Sequence, residues 1–388
     1  MGMKVKLDQI LSDATKQGDV PGVVATVGNR EGVLYEAAFG ERCLGAGLTM
    51  NVDTVWWIAS MTKAITSVAA VQCVERGLLE LDTPAKEVCP ELGNIGVLEG
   101  FDGNGQPNTR PPKCDITLRQ LLTHTAGFGY NDFNPDIQKV HDVLGIPSVL
   151  DCKNRTLAVP LVFDPGERWE YGINIDWVGK MVEAASSKRL GDYFRQNIFE
   201  PLGMNSTGFK ISDNMRSRLA STHFRGEDGE LTVFPIEIPQ DPEFEMGGGG
   251  LYSTVQDYLQ FLRMILNYGQ LGGNRVLTPE GVVSLGLNHM GDSRVTRLNS
   301  FTKFANDSEF FPGMKKSWSL AFQINHESTD TGRPAGGLMW AGLANSYFWI
   351  DQSTGLAGVY ATQIFPFADK KSFPLYLAFE KGVYSQIN

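Results

Sequence analysis

The chain has 388 residues, 42% of them hydrophobic and 20% charged, with a formal net charge of −10 and a pI near 5.1. Length and composition fit one large globular domain or two packed together. The acidic balance, with no cluster of Lys and Arg, argues against nucleic acid as a partner, and no apolar run is long enough for a membrane-spanning helix.

In chain order, Leu7, Ile10, Leu11 and Ala14 form an apolar stripe that predicts a first helix over about residues 5–17. Two strands follow at 22–29 and 32–40, joined by a turn at Asn29-Arg30-Glu31-Gly32. The stretch Trp57-Ile58-Ala59-Ser60-Met61-Thr62-Lys63 then leads into Ala64, Ile65, Val68, Ala69, Val71, Cys73 and Val74. That helix has almost no polar face, which places it in the interior, and Gly77 ends it. Residues 80–240 read as helices between loops rich in Pro, Gly and Asn, with 116–127 and 175–199 as examples. Strand-like runs return at 337–351 and 355–365, around a turn at Ser353-Thr354-Gly355, and residues 374–387 read as a closing helix. Strands at both ends and helices between them predict an α/β protein. Residues 1–80 and 245–388 form a discontinuous α/β domain, and residues 81–244 a mostly helical one.

The N-terminus lacks the continuous apolar core of a signal peptide. Five cysteines, Cys43, Cys73, Cys89, Cys114 and Cys152, stand at no metal or redox spacing, which predicts reduced thiols and a cytoplasmic protein. His141, His223, His289 and His326 form no metal-ligand pattern either. The expectation is no metal and no organic cofactor.

Ser60 and Lys63 carry the sharpest chemical signal. If a helix starts at Ser60, Lys63 lies on the same face one turn later. A lysine held there and partly desolvated can take a proton from the serine, which is a poor nucleophile without such a base. The same spacing in a cap and a surface lysine would mean nothing. A second serine-x-x-lysine, Ser300 and Lys303, has no long helix behind it and reads as a solvated loop.

Further along, Tyr171 stands between the Pro165-Gly166 turn and a helix for which Asn174 looks like the N-cap. A tyrosine so placed either relays protons or anchors packing. In Met339-Trp340-Ala341-Gly342-Leu343, small residues beside a bulky one let a backbone or a ligand approach closely. The run Gly247–Gly250 lacks a Walker lysine and reads as tight backbone packing. His124, before Gly127, is placed to bond the last carbonyls of its helix. No nucleophile elbow of the G-x-S-x-G type occurs.

Taken in order, Ser60-x-x-Lys63, Leu121–Gly127, Pro165-Gly166 with Tyr171, Gly247–Thr254 and Trp340-x-Gly342 resemble the serine β-lactamase/penicillin-binding-protein superfamily on its class C-like side. The likeness covers about residues 5–385 and is closest in style to family VIII carboxylesterases. Segments 57–82 and 171–180 are similar to the fungal statin side-chain acyltransferases. The resemblance implies a β-lactamase/transpeptidase-like fold, an antiparallel sheet flanked by helices plus a mostly helical domain. It implies Ser60 as the acylated nucleophile, Lys63 and Tyr171 as shared acid and base, and the backbone N–H groups of Ser60 and Leu343 as an oxyanion hole. Trp340, Ala341 and Gly342 would line the substrate site where β-lactamases carry Lys-Thr-Gly. Trp340 in place of that lysine, and Ile173 in place of the asparagine of Tyr-x-Asn, favour a neutral, partly apolar ester over a β-lactam.

The expected activity is therefore a serine carboxylesterase acting on a small-molecule ester or acyl donor. The alternative is an acyltransferase (transesterase) that passes the acyl group to an alcohol of a secondary metabolite. A β-lactamase, a D-peptidase and an inactive binding protein rank behind both.

Overall fold

Strands from the two ends of the chain meet in one sheet. The computed structural model describes residues 2–387. From the N-terminal side come β1 (Gly22–Asn29), β2 (Val33–Cys43) and β3 (Leu48–Thr49). From the C-terminal side come β4 (Lys316–Trp318), β5 (Gln323–Asn325), β6 (Leu338–Gly342), β7 (Ser346–Asp351) and β8 (Leu356–Ala361). Their order is β4-β5-β6-β7-β8-β1-β2-β3, antiparallel throughout. The β1–β8 pair, with Val24 opposite Ala361, joins the two ends. The architecture is the α/β, antiparallel-sheet fold that the motifs implied.

Local chemistry sets the turns. Asn29 accepts the N–H groups of Glu31 and Gly32 on its side-chain oxygen, at 3.0 and 2.8 Å, and fixes the β1–β2 hairpin. Asp351 does the same for Ser353 and Thr354 between β7 and β8. Residues 337–351, read as one strand-like run, are instead a tight hairpin of β6 and β7. The reversal occurs because Asn345 takes a left-handed backbone (φ 59°) that asparagine tolerates. Its amide nitrogen donates to the carbonyls of Ile364 and Pro366, at 2.7 and 2.8 Å.

Helices cover both faces. Along β7, Phe348 faces Tyr258 on one side (ring centroids 5.3 Å apart), and the next residue, Trp349, faces Phe379 on the other (5.9 Å). The helices are α1 (Met3–Lys16), α2 (Thr62–Glu75), α3 (Asn174–Ser186), α4 (Val255–Leu266) and α5 (Ser372–Tyr384). Phe379 lies on α5, which packs with α1, and Tyr258 lies on α4. Twelve of the fourteen residues of α2 are buried, which makes it the central helix, packed against α3.

Two predicted helices are shorter than their patterns. Residues 116–127 hold only the helix Leu118–Leu122, opened by a Thr117/Gln120 capping box and stopped by His124 at φ 56°. Residues 175–199 break at Ser187 (φ 55°), and the chain restarts at Leu190–Phe194 before a π turn over Arg195–Phe199. Asn174 is the first residue of α3 rather than its cap, because its amide is engaged elsewhere.

One fully buried ion pair ties α5 to the loop before β6: Arg333 Nε lies 3.2 Å from Glu380 Oε1, and both side chains have no exposed surface. Removing one partner strands the other charge. Glu380→Ala is expected to lower unfolding stability by about 3–5 kcal/mol, whereas Arg333→Met with Glu380→Leu should cost far less. Urea denaturation of the three proteins checks this.

Candidate active site

The backbone before Ser60 is built under constraint. Trp56–Trp57 pairs antiparallel with Tyr252–Ser253, and the Ile58 N–H donates to the Leu251 carbonyl at 3.0 Å. Ala59 then adopts φ 45°, a left-handed conformation that costs a non-glycine residue about 1–2 kcal/mol. A 3-10 turn over Ala59–Met61 follows, and α2 starts at Thr62. Ser60 therefore sits on the turn that feeds α2, two residues ahead of the regular helix. It is partly exposed, while Lys63 is 1% exposed.

Lys63 Nζ lies 2.9 Å from Ser60 Oγ, 3.0 Å from the Tyr130 hydroxyl and 2.6 Å from the Gly248 carbonyl oxygen. These three partners match the three donors of an ammonium. A neutral amine in the same place would still donate to Gly248 and Tyr130, and its lone pair would accept the Ser60 proton. The rings of Tyr171 and Tyr130 flank the nitrogen, with centroids at 4.8 and 5.1 Å.

The glycine run is the backbone wall behind this lysine. A Cβ at Gly248 would come within 2.6 Å of Asp176 Oδ2, so only glycine fits. The Gly248 N–H donates to Asp176 Oδ1 at 2.8 Å while its carbonyl accepts from Lys63. One residue, Gly248, thus links the fully buried Asp176 to Lys63 through its own N–H and carbonyl. Burial pushes the Asp176 carboxyl up to about 6, with Lys63 and the Gly248 N–H pulling the other way. The sequence pattern offered no role for Asp176, in the first turn of α3.

Two tyrosines, Tyr171 and Tyr130, stand where the sequence offered one. The Tyr171 hydroxyl accepts a hydrogen bond from Trp340 Nε1 at 3.0 Å, and Tyr130 places its hydroxyl on Lys63. Tyr130 escaped the sequence reading, which stopped at His124 and Gly127 in the same loop. Its signal was the Gly-Phe-Gly-Tyr spacing, which mirrors the glycine beside Tyr171. The two loops touch backbone to backbone at Gly172 and Phe128, and the Tyr130 N–H donates to the Tyr171 carbonyl at 3.2 Å. Burial holds the Tyr130 phenol well above its ordinary range, and Asp176, Tyr171 and Asp132 add to the effect. Tyr130 therefore stays protonated.

The His124 ring does not cap its helix. Its Nδ1 lies 3.1 Å from the Asn174 amide nitrogen, and its ring packs edge-on to Trp318 and against Tyr171 (centroids 5.0 and 5.1 Å). Burial, with the nearby Lys63, pushes its pKa well below 6.5, so the imidazole is neutral. A neutral ring accepts from Asn174 at Nδ1 and props Tyr171.

Strand β6 closes the site. A Cβ at Gly342 would overlap the Ile58 carbonyl, so the strand runs in backbone contact with the segment before Ser60. Ser60, Tyr171 and Leu343 line two lobes of one cleft. The larger also has Trp57, Asp132, Phe133 and Met246 in its walls. The smaller has Trp340, Leu298 and Phe367. A strap bridges the two walls: the Phe301 N–H donates to the Asp132 carbonyl and the Phe367 N–H to the Phe304 carbonyl, each at 2.9 Å. Ser300 and Lys303 lie on this strap. Ser300 Oγ donates to the Thr302 carbonyl and Lys303 is exposed, so that pair is a loop feature. Among the described residues no group of three His, Cys, Asp or Glu side chains is placed to hold a metal ion.

Comparison with known proteins gives the family. A family model described as beta-lactamase matches residues 7–380. The monacolin J acid methylbutanoyltransferase of Aspergillus terreus is 31% identical over 401 residues, spanning 98% of this chain and 96% of that protein. The lovastatin esterase of Penicillium rubens is 31% identical over 377 residues, 92% of each chain. A solved mutant form of simvastatin synthase from Aspergillus terreus superimposes with a TM-score of 0.85 at 30% identity, covering 98% of this chain and 96% of that one. The chain is thus similar to serine enzymes that move acyl groups, and it belongs to the beta-lactamase family.

Proposed function

We propose that the protein is a serine acyltransferase that moves an acyl group from an ester or thioester donor to an alcohol through a Ser60 acyl-enzyme. The observation that carries the reading is Lys63 held between Ser60 Oγ and the Tyr130 hydroxyl. Lys63 takes the Ser60 proton as Oγ attacks the donor carbonyl. Tyr130, kept as a phenol, passes protons on without becoming the base. The backbone N–H groups of Ser60 and Leu343, on the two walls that meet at the nucleophile, stabilise the developing oxyanion. Tyr171 accepts from Trp340, so its own O–H is directed by that bond and serves the leaving and incoming oxygens in the smaller lobe. Trp340, Ala341 and Gly342 form the wall against which that half of the substrate lies.

Transfer to an alcohol is favoured over the carboxylesterase reading by the two lobes, which give donor and acceptor separate apolar seats beside Ser60. It is also the activity named for the Aspergillus relative. Hydrolysis is the second reading, favoured by the equal identity to the Penicillium esterase. The unpaired state of all five cysteines suits a cytoplasmic setting. Incubation with a short-chain acyl thioester and a panel of small-molecule alcohols decides between the two. Ester product should rise with alcohol concentration at the expense of free acid, and free acid alone across the panel refutes transfer.

Ser60→Ala should abolish acyl-enzyme formation, read by intact mass after a fluorophosphonate. Tyr130→Phe and Tyr171→Phe should each lower kcat/KM on alkyl esters by about 10²–10³-fold, the range of lost acid–base help. With a p-nitrophenyl ester, whose leaving group needs no proton, the Tyr171→Phe loss should shrink and the Tyr130→Phe loss should persist.

Asp176 gives a pH signature. Its folded value of about 6 stands above the 3.8 of an unperturbed carboxyl. The folded state therefore binds the proton more tightly, and this group's contribution to stability is lost as pH rises from about 4 through 6. Asp176→Asn removes that dependence. Relative to wild type it should gain on the order of 3 kcal/mol between pH 4 and pH 7, read from denaturation midpoints at each pH.

A further inference from the structure

The charge inventory of the cleft is lopsided. Among the described residues that line either lobe, Asp132 is the only charged one. Lys63 lies beneath the nucleophile, 1% exposed and bonded to three partners, so it offers nothing to a distant part of a ligand. Asp132 is itself held in place. Thr302 Oγ1 donates to its Oδ1 at 2.6 Å, and the Phe301 N–H donates to its backbone carbonyl at 2.9 Å, both from the strap. Trp57, Phe133 and Tyr130 share the lobe with it and offer aromatic rings.

This arrangement discriminates by charge. A carboxylate in the larger lobe would lose water, meet Asp132 and find no cation. An ammonium or a hydroxyl would meet an acceptor, and the ammonium would also meet aromatic rings. Neighbouring His141 does not neutralise Asp132, because burial holds the imidazole below its ordinary value. Burial also pushes the Asp132 carboxyl up, a shift that a bound cation would reverse.

We propose that Asp132 is a specificity-determining residue: the part of the substrate that occupies the larger lobe carries a hydrogen-bond donor, ammonium or hydroxyl, and no carboxylate. The proposal rests on acyl transfer at Ser60 and names the substrate class for it.

The test uses two sets of simple esters of equal length. One set bears a terminal ammonium, hydroxyl, methyl or carboxylate on the acyl side, the other on the alcohol side. Binding is measured by calorimetry to full-length Ser60→Ala protein, so the result does not depend on turnover. In one set the ammonium and hydroxyl compounds should bind at least as tightly as the methyl compound. The carboxylate should bind about 30-fold or more weakly, the scale of an unfavourable like-charge contact. Adding Asp132→Asn should contract the ammonium-to-carboxylate ratio by about tenfold or more; a general loss of affinity drops out of that ratio. Raising ionic strength on the Ser60→Ala protein should narrow the same ratio, a reading that does not need the Asp132 variant to fold. A carboxylate bound as well as methyl in both sets, or a ratio unmoved by Asp132→Asn and by salt, overturns the proposal. Turnover of the methyl-terminated esters by the Ser60 protein is scored separately. Its absence would count against acyl transfer and leave the charge order to be judged on binding alone.

Discussion

Everything around the site is organised by one buried amine, that of Lys63. Taking a lysine out of water costs several kcal/mol unless its donors are met, and Lys63 is almost wholly enclosed. Three oxygens meet it, and each comes from a different part of the chain: the turn before α2, the loop after His124 and the glycine run. Each therefore fixes a segment relative to α2. Glycine is needed at 248 because its carbonyl must approach Nζ on one side while Asp176 takes the N–H of the same residue on the other. The all-round apolar character of α2 follows as well, since the helix that carries the lysine must be enclosed to hold it there.

The second organising feature is Trp340, which stands where the resemblance implied a lysine. A second ammonium on β6 would have made the cleft a seat for anions. The indole instead gives its one N–H to Tyr171 and its ring to a wall shared with Tyr171 and Phe310. Tyr171 is then held from three directions: Trp340 at its hydroxyl, His124 at its ring, and Lys63 over its face. A charged His124 would repel Lys63, so the burial that keeps the imidazole neutral also protects the lysine's place.

Some of this was legible in the sequence and some was not, for physical reasons. Ser60 and Lys63 could be told from Ser300 and Lys303 because only the first pair precedes a helix apolar on all sides, and burial is what turns spacing into contact. The β1–β2 strands and their turn could be placed because alternation and an asparagine turn are local signals. Tyr130 could not, because its place depends on two loops packing backbone to backbone, a contact some forty residues apart in sequence. Asn174 was misread for a related reason. A residue suited to capping was drawn into the His124 network by tertiary structure, which outweighs a local preference of about 1 kcal/mol. The β6–β7 reversal was hidden because Leu343 and Ala344 are as apolar as the strands they join.

On the proposed mechanism, the choice between an alcohol and water would be made away from the reacting atoms. Ser60, Lys63 and Tyr130 would serve either acceptor, since each step moves the same protons over the same short distances. What differs is whether an alcohol is held long enough beside the acyl-enzyme to compete with solvent, and that depends on the lobes. Their walls come from Trp57, Phe133 and Met246 on one side and from Leu298 and Phe367 on the other, and the strap ties the two sides together. Relatives named for transfer and for hydrolysis can therefore stand at the same 31% identity to this chain. Changes confined to lobe walls and strap would alter acceptor choice while leaving the buried lysine and everything it organises in place.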